Sequence, residues 1–323
     1  MGFRLFGLSF GQRMNIRQRS WAFYLLLTLT LGGCRQGGSV MPLSEENAAY
    51  YWRTTWSIDS VESAFLQRYD IRRLYCRYFD VVMADGQPTP NATLRFPAVS
   101  ALPSTGDSVA AFLPSGLELV PTVYITEDCM RAAPDGGWAP LARKLVARIV
   151  QMNDTHDLPP AQELQVDCDY TLRSRQNYYD FLAIVREEAR KRGMRLSTTI
   201  RLHQLSMAAP PADYGVLMVY NTGDPQNFAE RNPILDIRDV EPYLRHLAGY
   251  KLPLAAAYPV YRWQRTIHGV RIEHSVDGQE ILNAKKMVER ERSDMGRTII
   301  IYSLDKENIN RYDHDTFLEI YRH

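Results

Sequence analysis

Two aspartates stand two residues apart at the end of a short apolar segment, LQVDCDY, at residues 164–170. A β-strand sends alternate side chains to opposite faces, so Asp167 and Asp169 should point the same way, with Cα atoms roughly 7 Å apart. At an effective dielectric near 20, two carboxylates about 6 Å apart repel by about 3 kcal/mol, equivalent to roughly two pKa units. Solvent, a cation or protonation of one carboxyl would relieve that repulsion. The pair is therefore a candidate for acid–base chemistry.

Other polar and aromatic residues fall at or near the ends of predicted strands. Glu127 and Asp128 follow the third strand and could supply a second acid. The candidate binding residues are Arg77, Arg201, Tyr220, Asn221, Tyr258, Tyr261, Trp52 and Trp263. Aromatic rings with acids and amides around a cleft are typical of a carbohydrate site, because a ring face stacks on a sugar while polar groups bind its hydroxyls.

The elements that must position these residues follow an alternating pattern. Short apolar or β-branched segments predict eight strands, at residues 49–56, 73–82, 118–126, 163–171, 195–202, 215–222, 253–261 and 298–304. Helical periodicity appears at residues 60–69, 140–152, 176–192, 239–250 and 283–292. Strands that alternate with helices form a parallel sheet. Eight of them at this length predict an α/β fold with a single (β/α)8 TIM-like barrel.

Two segments interrupt the alternation. Residues 84–116 contain five prolines and predict a long loop after strand 2, with room for a small hairpin. Residues 268–279 alternate in polarity and then reach Asp277-Gly278, which predicts a hairpin insertion after strand 7. Loops that follow strand ends build the active face of a barrel, so both insertions are candidate walls of a cleft.

Polarity alternates along three of the strands and assigns their faces. If the apolar residues face the helices, the barrel interior receives Gln165, Asp167, Asp169, Ser197, Thr199, Arg201, Tyr75, Arg77 and Phe79. Two aspartates and two arginines then meet inside the barrel. They could form a binding or catalytic cleft, or a neutral ion network that only fills the barrel.

The N-terminus has the features of an export signal. Four arginines and no acid precede the apolar residues 21–31, which are too few to span a bilayer. The end of this segment, LGGC, resembles the lipobox of bacterial lipoproteins and implies lipidation of Cys34. Arg35 follows Cys34 where an acidic residue would favour the inner membrane. We expect a signal peptide at residues 1–33, a lipidated tether at 34–48 and a barrel domain at 49–323, exported and anchored in the outer membrane of a bacterial cell envelope.

Composition and missing motifs narrow the function further. Without the four N-terminal arginines, 34 basic residues stand against 37 acidic ones, a net charge of −3, and nothing suggests a nucleic-acid partner. The sequence has no GxGxxG, P-loop, GxSxG or HExxH motif. Cys76, Cys129 and Cys168 lack metal-ligand spacing and are expected to be buried. We expect no cofactor and no metal.

Several segments resemble an uncharacterised family of bacterial exported proteins with barrels related to glycoside hydrolases. The matching segments are AYYWRTTW (residues 49–56), DIRRLYCRYFDV (70–81), ELQVDCDYT (163–171), RQNYYDFL (175–182) and MRLSTTIRLHQL (194–205). VDCDYT also resembles the fourth-strand signature of chitinase-type barrels, where aspartates at alternating positions lead to a catalytic Glu. Asp167 and Asp169 match those aspartates, and Thr171 stands at the position of the Glu.

These observations predict a cell-envelope lipoprotein whose barrel acts on or binds a glycan or oligosaccharide. As a glycoside hydrolase it would use Asp169 as acid or nucleophile, with Asp167 shifting the pKa of Asp169 and Glu127 or Asp128 as the partner. The alternative is a noncatalytic glycan-binding or scaffolding lipoprotein that has lost the catalytic acid, which Thr171 favours. A barrel that acts on a ligand other than a sugar is a third hypothesis.

Overall fold

Eight parallel strands close into a barrel in the computed structural model, which describes residues 43–97, 113–223, 231–267 and 270–323. The barrel strands are β1 (Glu46–Tyr51), β2 (Ile71–Ala84), β4 (Glu118–Ile125), β5 (Glu163–Asp167), β6 (Arg195–Arg201), β7 (Tyr214–Met218), β8 (Leu254–Pro259) and β11 (Thr298–Tyr302). Their order around the barrel is β1-β11-β8-β7-β6-β5-β4-β2, and β2 pairs again with β1. The predicted single (β/α)8 TIM barrel is confirmed, and each of the eight strands overlaps its predicted segment.

Helices cover the outside of this barrel. They are α1 (Ser60–Arg68), α2 (Ala139–Thr155), α3 (Arg175–Arg190), α4 (Ile237–Leu244), α5 (Gly278–Glu291), α6 (Lys306–Ile309) and α7 (His314–Ile320). All five predicted helices are present. Between β6 and β7 the described chain forms a short 3-10 helix, Leu202–Ser206, instead of an α-helix.

The main hydrophobic core lies between the strands and the helices. Leu164, Val166 and Cys168 of the β5 segment are fully buried there, as the alternation predicted. A second buried cluster fills the barrel itself and includes four tyrosines, Tyr50, Tyr75, Tyr214 and Tyr220, together with alanines and other aliphatic side chains. Apolar residues therefore pack on both sides of the barrel strands, and polar residues inside the barrel are exceptions to this packing.

A β-bulge in β2 changes the predicted face of one residue. Arg77 pairs with Thr122 and Phe79 pairs with Val123, so Tyr78 is an extra residue in the ladder. Tyr78 and Phe79 both lie in the core against the helices, and Phe79 does not line the interior as predicted. The bulge also turns Asp80 back toward the barrel mouth.

The two insertions contain hairpins. Strand β3 (Gln87–Asn91) pairs antiparallel with the end of β2, inside the predicted loop, of which residues 98–112 lie outside the described part. Strands β9 (Arg262–Ile267) and β10 (Val270–Ser275) form the hairpin after β8. Asp277-Gly278 is not its turn, because Asp277 caps α5 through a hydrogen bond from the backbone of Gln279.

The predicted signal peptide, Cys34 and most of the tether lie outside the described residues. The first strand begins at Glu46, three residues before the predicted strand. Among the described residues, no helix combines the length and the apolar character needed to cross a membrane.

Candidate functional site

A polar cleft of about 180 Å³ opens among the carboxyl ends of the barrel strands. Its lining residues are Trp52, Arg77, Tyr124, Asp167, Asp169, Arg201, Met218, Tyr220, Asn221 and Tyr302. Seven of them were predicted site residues. Tyr124, Met218 and Tyr302 were not, although each lies in a predicted strand. In this architecture the ends of the strands carry the binding and catalytic groups.

Asp167 lies at the inner end of the cleft with 2% of its surface exposed. Its carboxylate accepts a hydrogen bond from Thr199 Oγ1 at 2.6 Å, and Arg201 Nη2 lies 3.9 Å away. Burial raises the pKa of Asp167 to about 6, while Arg201 lowers it and Asp169 raises it. Desolvation therefore outweighs the attraction of the guanidinium.

Asp169 stands above Asp167 with 47% of its side chain exposed. It accepts a hydrogen bond from Arg201 Nε, so the same guanidinium lies beside both aspartates. The face assignment for β5 and β6 is thus correct. Asp167 and Arg201 are neighbours as predicted.

Arg77 has a different partner from the one expected. It forms a two-point ion pair with Asp80, through Nε at 2.7 Å and Nη2, and its guanidinium lies 5.6 Å from the centre of the Trp52 ring. Asp80 is 6% exposed, and its charge helps to raise the pKa of Asp167. Sequence analysis missed Asp80, because only the bulge brings it to this face.

Aromatic rings form one side of the cleft. The ring of Tyr302 stacks on Tyr220 with centroids 5.0 Å apart and lies 5.8 Å from that of Trp52. Tyr261 lies next to them, and its hydroxyl donates to Asn221 Oδ1 at 2.5 Å. Three predicted binding residues, Trp52, Tyr220 and Tyr261, therefore come together around Tyr302.

Two buried donors at the cleft have no hydrogen-bond partner among the described residues. Neither the Tyr220 hydroxyl nor Arg201 Nη1 makes a hydrogen bond to any described residue. A buried polar group without a partner costs about 1–3 kcal/mol. Both atoms belong to residues that line the cleft.

Glu127 and Asp128 do not line the cleft. Glu127 accepts hydrogen bonds from Thr171 Oγ1 at 2.8 Å and Ser174 Oγ at 2.9 Å, and pairs with Arg131 at 2.8 Å. The bond from Thr171, with those from Arg131 and Ser174, lowers the pKa of Glu127. The carboxylate of Asp128 accepts from the Cys129 backbone N–H at 3.0 Å.

Tyr258 and Trp263 also lie elsewhere. Tyr258 is fully buried in the core between wall and helices, and its hydroxyl has no hydrogen-bond partner among the described residues. Trp263 belongs to the β9–β10 hairpin, where its ring packs 5.6 Å from that of His274. Within the described ranges no group of three or more His, Cys, Asp or Glu residues is arranged to hold a metal ion.

Solved structures with a similar arrangement of elements include chitinases and a spore cortex-lytic enzyme. A chitinase from Bacteroides thetaiotaomicron superimposes with a TM-score of 0.55 at 12% identity, over 86% of this chain and 97% of that one. The fold is that of the chitinase barrels. A Chromobacterium violaceum chitinase gives 0.51 at 14%, over 86% and 98%. The Bacillus megaterium spore cortex-lytic enzyme SleL gives 0.52 at 11%, over 87% and 74%. Comparison of the sequence with protein-family models and with curated proteins gives no match.

Proposed function

We propose that this protein binds a glycan in the cleft at the carboxyl ends of its barrel strands, without chitinase-type hydrolysis. The observation that carries the proposal is the pair of unpartnered buried donors, Tyr220 OH and Arg201 Nη1, beside the rings of Trp52 and Tyr302. A sugar ring offers acceptor oxygens around its edge and an apolar face for stacking. It satisfies both kinds of group at once.

The charge balance of the cleft favours a neutral sugar. Two guanidinium groups, Arg77 and Arg201, face three carboxylates, Asp80, Asp167 and Asp169, which leaves one net negative charge when all are ionised. An anion would be repelled. Hydroxyl groups, by contrast, can donate to the half-exposed Asp169 and accept from Arg201.

The position of Thr171 argues against chitinase-type hydrolysis. By resemblance, the general acid of that mechanism would stand at residue 171, where this chain has a hydroxyl that donates to Glu127 at 2.8 Å. Glu127 cannot replace that acid, because its hydrogen bonds and Arg131 favour its ionised form.

The decisive experiment compares Tyr220→Phe with Tyr258→Phe. Both hydroxyls are buried and have no partner among the described residues, so neither variant loses a folded-state hydrogen bond. Only Tyr220 lines the cleft. Titration calorimetry against chitooligosaccharides, peptidoglycan glycan strands and β-glucans should show binding by the wild type, weakened about 2- to 12-fold in Tyr220→Phe, the loss expected for one hydrogen bond.

Tyr258→Phe should bind like the wild type. If no glycan in the panel binds, or if the two variants lose affinity equally, the proposed site is wrong. Equal stability of the two variants, checked by urea denaturation, separates a binding effect from a folding effect.

A second candidate is hydrolysis by the aspartate pair, which the raised pKa of Asp167 favours. With a pKa of about 6, Asp167 holds a proton at mildly acidic pH, as a general acid must. In that case the wild type would release reducing ends from a glycan of the panel, and Asp169→Asn would bind that glycan without cleaving it. If the wild type shows no turnover, hydrolysis is excluded for this panel and only the binding function remains.

The N-terminal sequence supports the proposal that the barrel is exported and anchored to a membrane. The basic segment, the apolar residues 21–31 and LGGC occur in the order of a lipoprotein signal. In a bacterial host, the wild type should fractionate with the outer membrane and Cys34→Ser should not. Recovery of both in the soluble fraction would contradict lipidation at Cys34.

A further inference from the structure

A groove continues from the cleft across the carboxyl-end face of the barrel. A cavity of about 240 Å³ shares Asp169, Arg201, Tyr220 and Asn221 with the cleft. It leads to a larger cavity of about 710 Å³, with which it shares His203 and Tyr243. We call this larger cavity the outer groove; its lining includes Arg131, Leu172, Arg173, His203, Met207 and Tyr243.

The outer groove is more basic than the cleft. Arg131 and Arg173 face it with one carboxylate, Glu127, which is already paired with Arg131. Arg173 forms no ion pair with any described residue, and the imidazole of His203 has no partner among those residues either. One guanidinium therefore remains available beside a cleft whose own net charge is negative.

An exposed leucine adds an apolar surface to this basic groove. Leu172 is 71% exposed, the most exposed large hydrophobic side chain in the described chain. It does not lie on a loose loop. Thr171 and Ser174 both donate to Glu127, and the Arg173 backbone N–H donates to Thr171 Oγ1 at 3.2 Å, so the turn that presents Leu172 and Arg173 is held at both ends.

We infer that the outer groove binds a carboxylate-bearing substituent on the same glycan chain, so that the ligand is an acidic glycan with a neutral ring in the cleft. This rests on the proposed function. The free guanidinium of Arg173 pairs with the carboxylate, and Leu172 packs against the apolar part of the substituent. A lactyl ether, which carries a methyl group and a carboxylate on one carbon, has this combination.

The experiment compares two tetrasaccharides with the same backbone. One is chitotetraose, and the other carries carboxylated lactyl ethers on alternate N-acetylglucosamine rings. In low salt the wild type should bind the acidic probe about 3- to 10-fold more tightly, the range expected between an exposed ion pair and a charge-assisted hydrogen bond. The preference should shrink in 0.5 M NaCl, because salt screens exposed charges.

Three variants show whether Arg173 is the cause. Arg173→Gln should bind both probes equally, whereas Arg173→Lys should keep most of the preference. Arg192→Gln is the matched control, because Arg192 is also exposed and without an ion pair among the described residues but follows α3 at the opposite end of the barrel. It should behave as the wild type.

The outcomes separate this inference from the proposed function. Equal binding of the two probes by the wild type, weaker binding of the acidic probe, or a preference that survives in Arg173→Gln overturns the inference while glycan binding in the cleft stands. If neither tetrasaccharide binds, the inference is overturned as well, and the Tyr220→Phe comparison across the wider panel decides the proposed function by itself.

Discussion

The unfolding free energy of Asp167→Asn, compared with that of the wild type, should increase as the pH rises from 5 to 8. Burial raises the pKa of Asp167 in the folded state to about 6, from 3.8 for an unperturbed aspartate. The folded state therefore holds the proton more tightly than the unfolded chain does. Wild-type stability from this group is fully present below pH 3.8 and is lost as the pH rises through 6. Asparagine is neutral throughout and removes that dependence.

The magnitude follows from the two pKa values. Their difference corresponds to about 3 kcal/mol over the whole interval, at about 1.4 kcal/mol for each pKa unit. Between pH 5 and pH 8 the linkage relation gives about 1–2 kcal/mol, because part of the titration already occurs below pH 5. No reduction for solvent screening applies, since Asp167 is 2% exposed.

Urea denaturation of both proteins at pH 5, 6, 7 and 8 and constant ionic strength measures this difference. The unfolding free energy of Asp167→Asn minus that of the wild type should rise by about 1–2 kcal/mol across the series. Asp180→Asn, at an exposed aspartate on α3, is the control for the substitution itself. A difference that stays flat or falls for Asp167→Asn would show that the attraction of Arg201 outweighs burial, which refutes the reasoning.

Three further predictions concern packing and buried groups. Thr199→Val removes the 2.6 Å hydrogen bond to Asp167 and should cost about 1–3 kcal/mol of unfolding free energy, more at pH 8 than at pH 5; an equal loss at both would mean that the charge of Asp167 does not change between them. Gly215→Ala should lose about 1–3 kcal/mol in urea denaturation, because its Cβ would lie 2.9 Å from side-chain carbons of both neighbouring segments; unchanged stability would show that they can move. Cys76 and Cys168 are buried and burial raises their thiol pKa, so mass spectrometry should find them alkylated only after unfolding.

The fold was predictable because its signal is repeated along the chain. Each strand is a short apolar segment bounded by helical periodicity or turn residues, and eight such units leave few alternatives to a barrel. The alternation in LQVDCDY also fixed which side chains face inward, because a one-residue error would have placed Leu164 and Val166 inside and Asp167 in the apolar core. The positions of Asp167 and Arg201 follow from that pattern.

The predicted faces were wrong where the alternation of polar and apolar residues is absent from a strand or shifts within it. Strand β8 has the sequence LAAAYP, in which every residue is apolar, so nothing in it shows that Ala257 points inward and Tyr258 toward the helices. In β2 the bulge at Tyr78 shifts the alternation by one residue, which moves Phe79 outward and brings Asp80 to the cleft. No residue type in the segment signals that bulge.

Local chemistry explains the misplaced turn. Asp-Gly is the usual dipeptide of a tight hairpin, but aspartate is equally suited to cap a helix. Here Asp277 accepts a hydrogen bond at 2.8 Å from the backbone N–H of Gln279, and α5 begins at Gly278. The Asp-Gly dipeptide alone does not show whether it forms a hairpin turn or caps a helix. The outcome depends on the side of the dipeptide on which the partner strand lies.

Whether the cleft only binds a glycan or also hydrolyses it depends on which carboxyl group at the barrel mouth holds a proton. A general acid must hold a proton at the working pH and also touch the bond that it protonates. Asp167 meets the first condition, since burial raises its pKa, but only 2% of its surface is exposed and Asp169 and Arg201 lie above it. Asp169 and Glu127 are more accessible, yet each is paired with an arginine. The carboxyl most able to carry a proton is therefore the least exposed of these three carboxyls, and this separation is the physical reason to expect a barrel that holds a glycan without cleaving it.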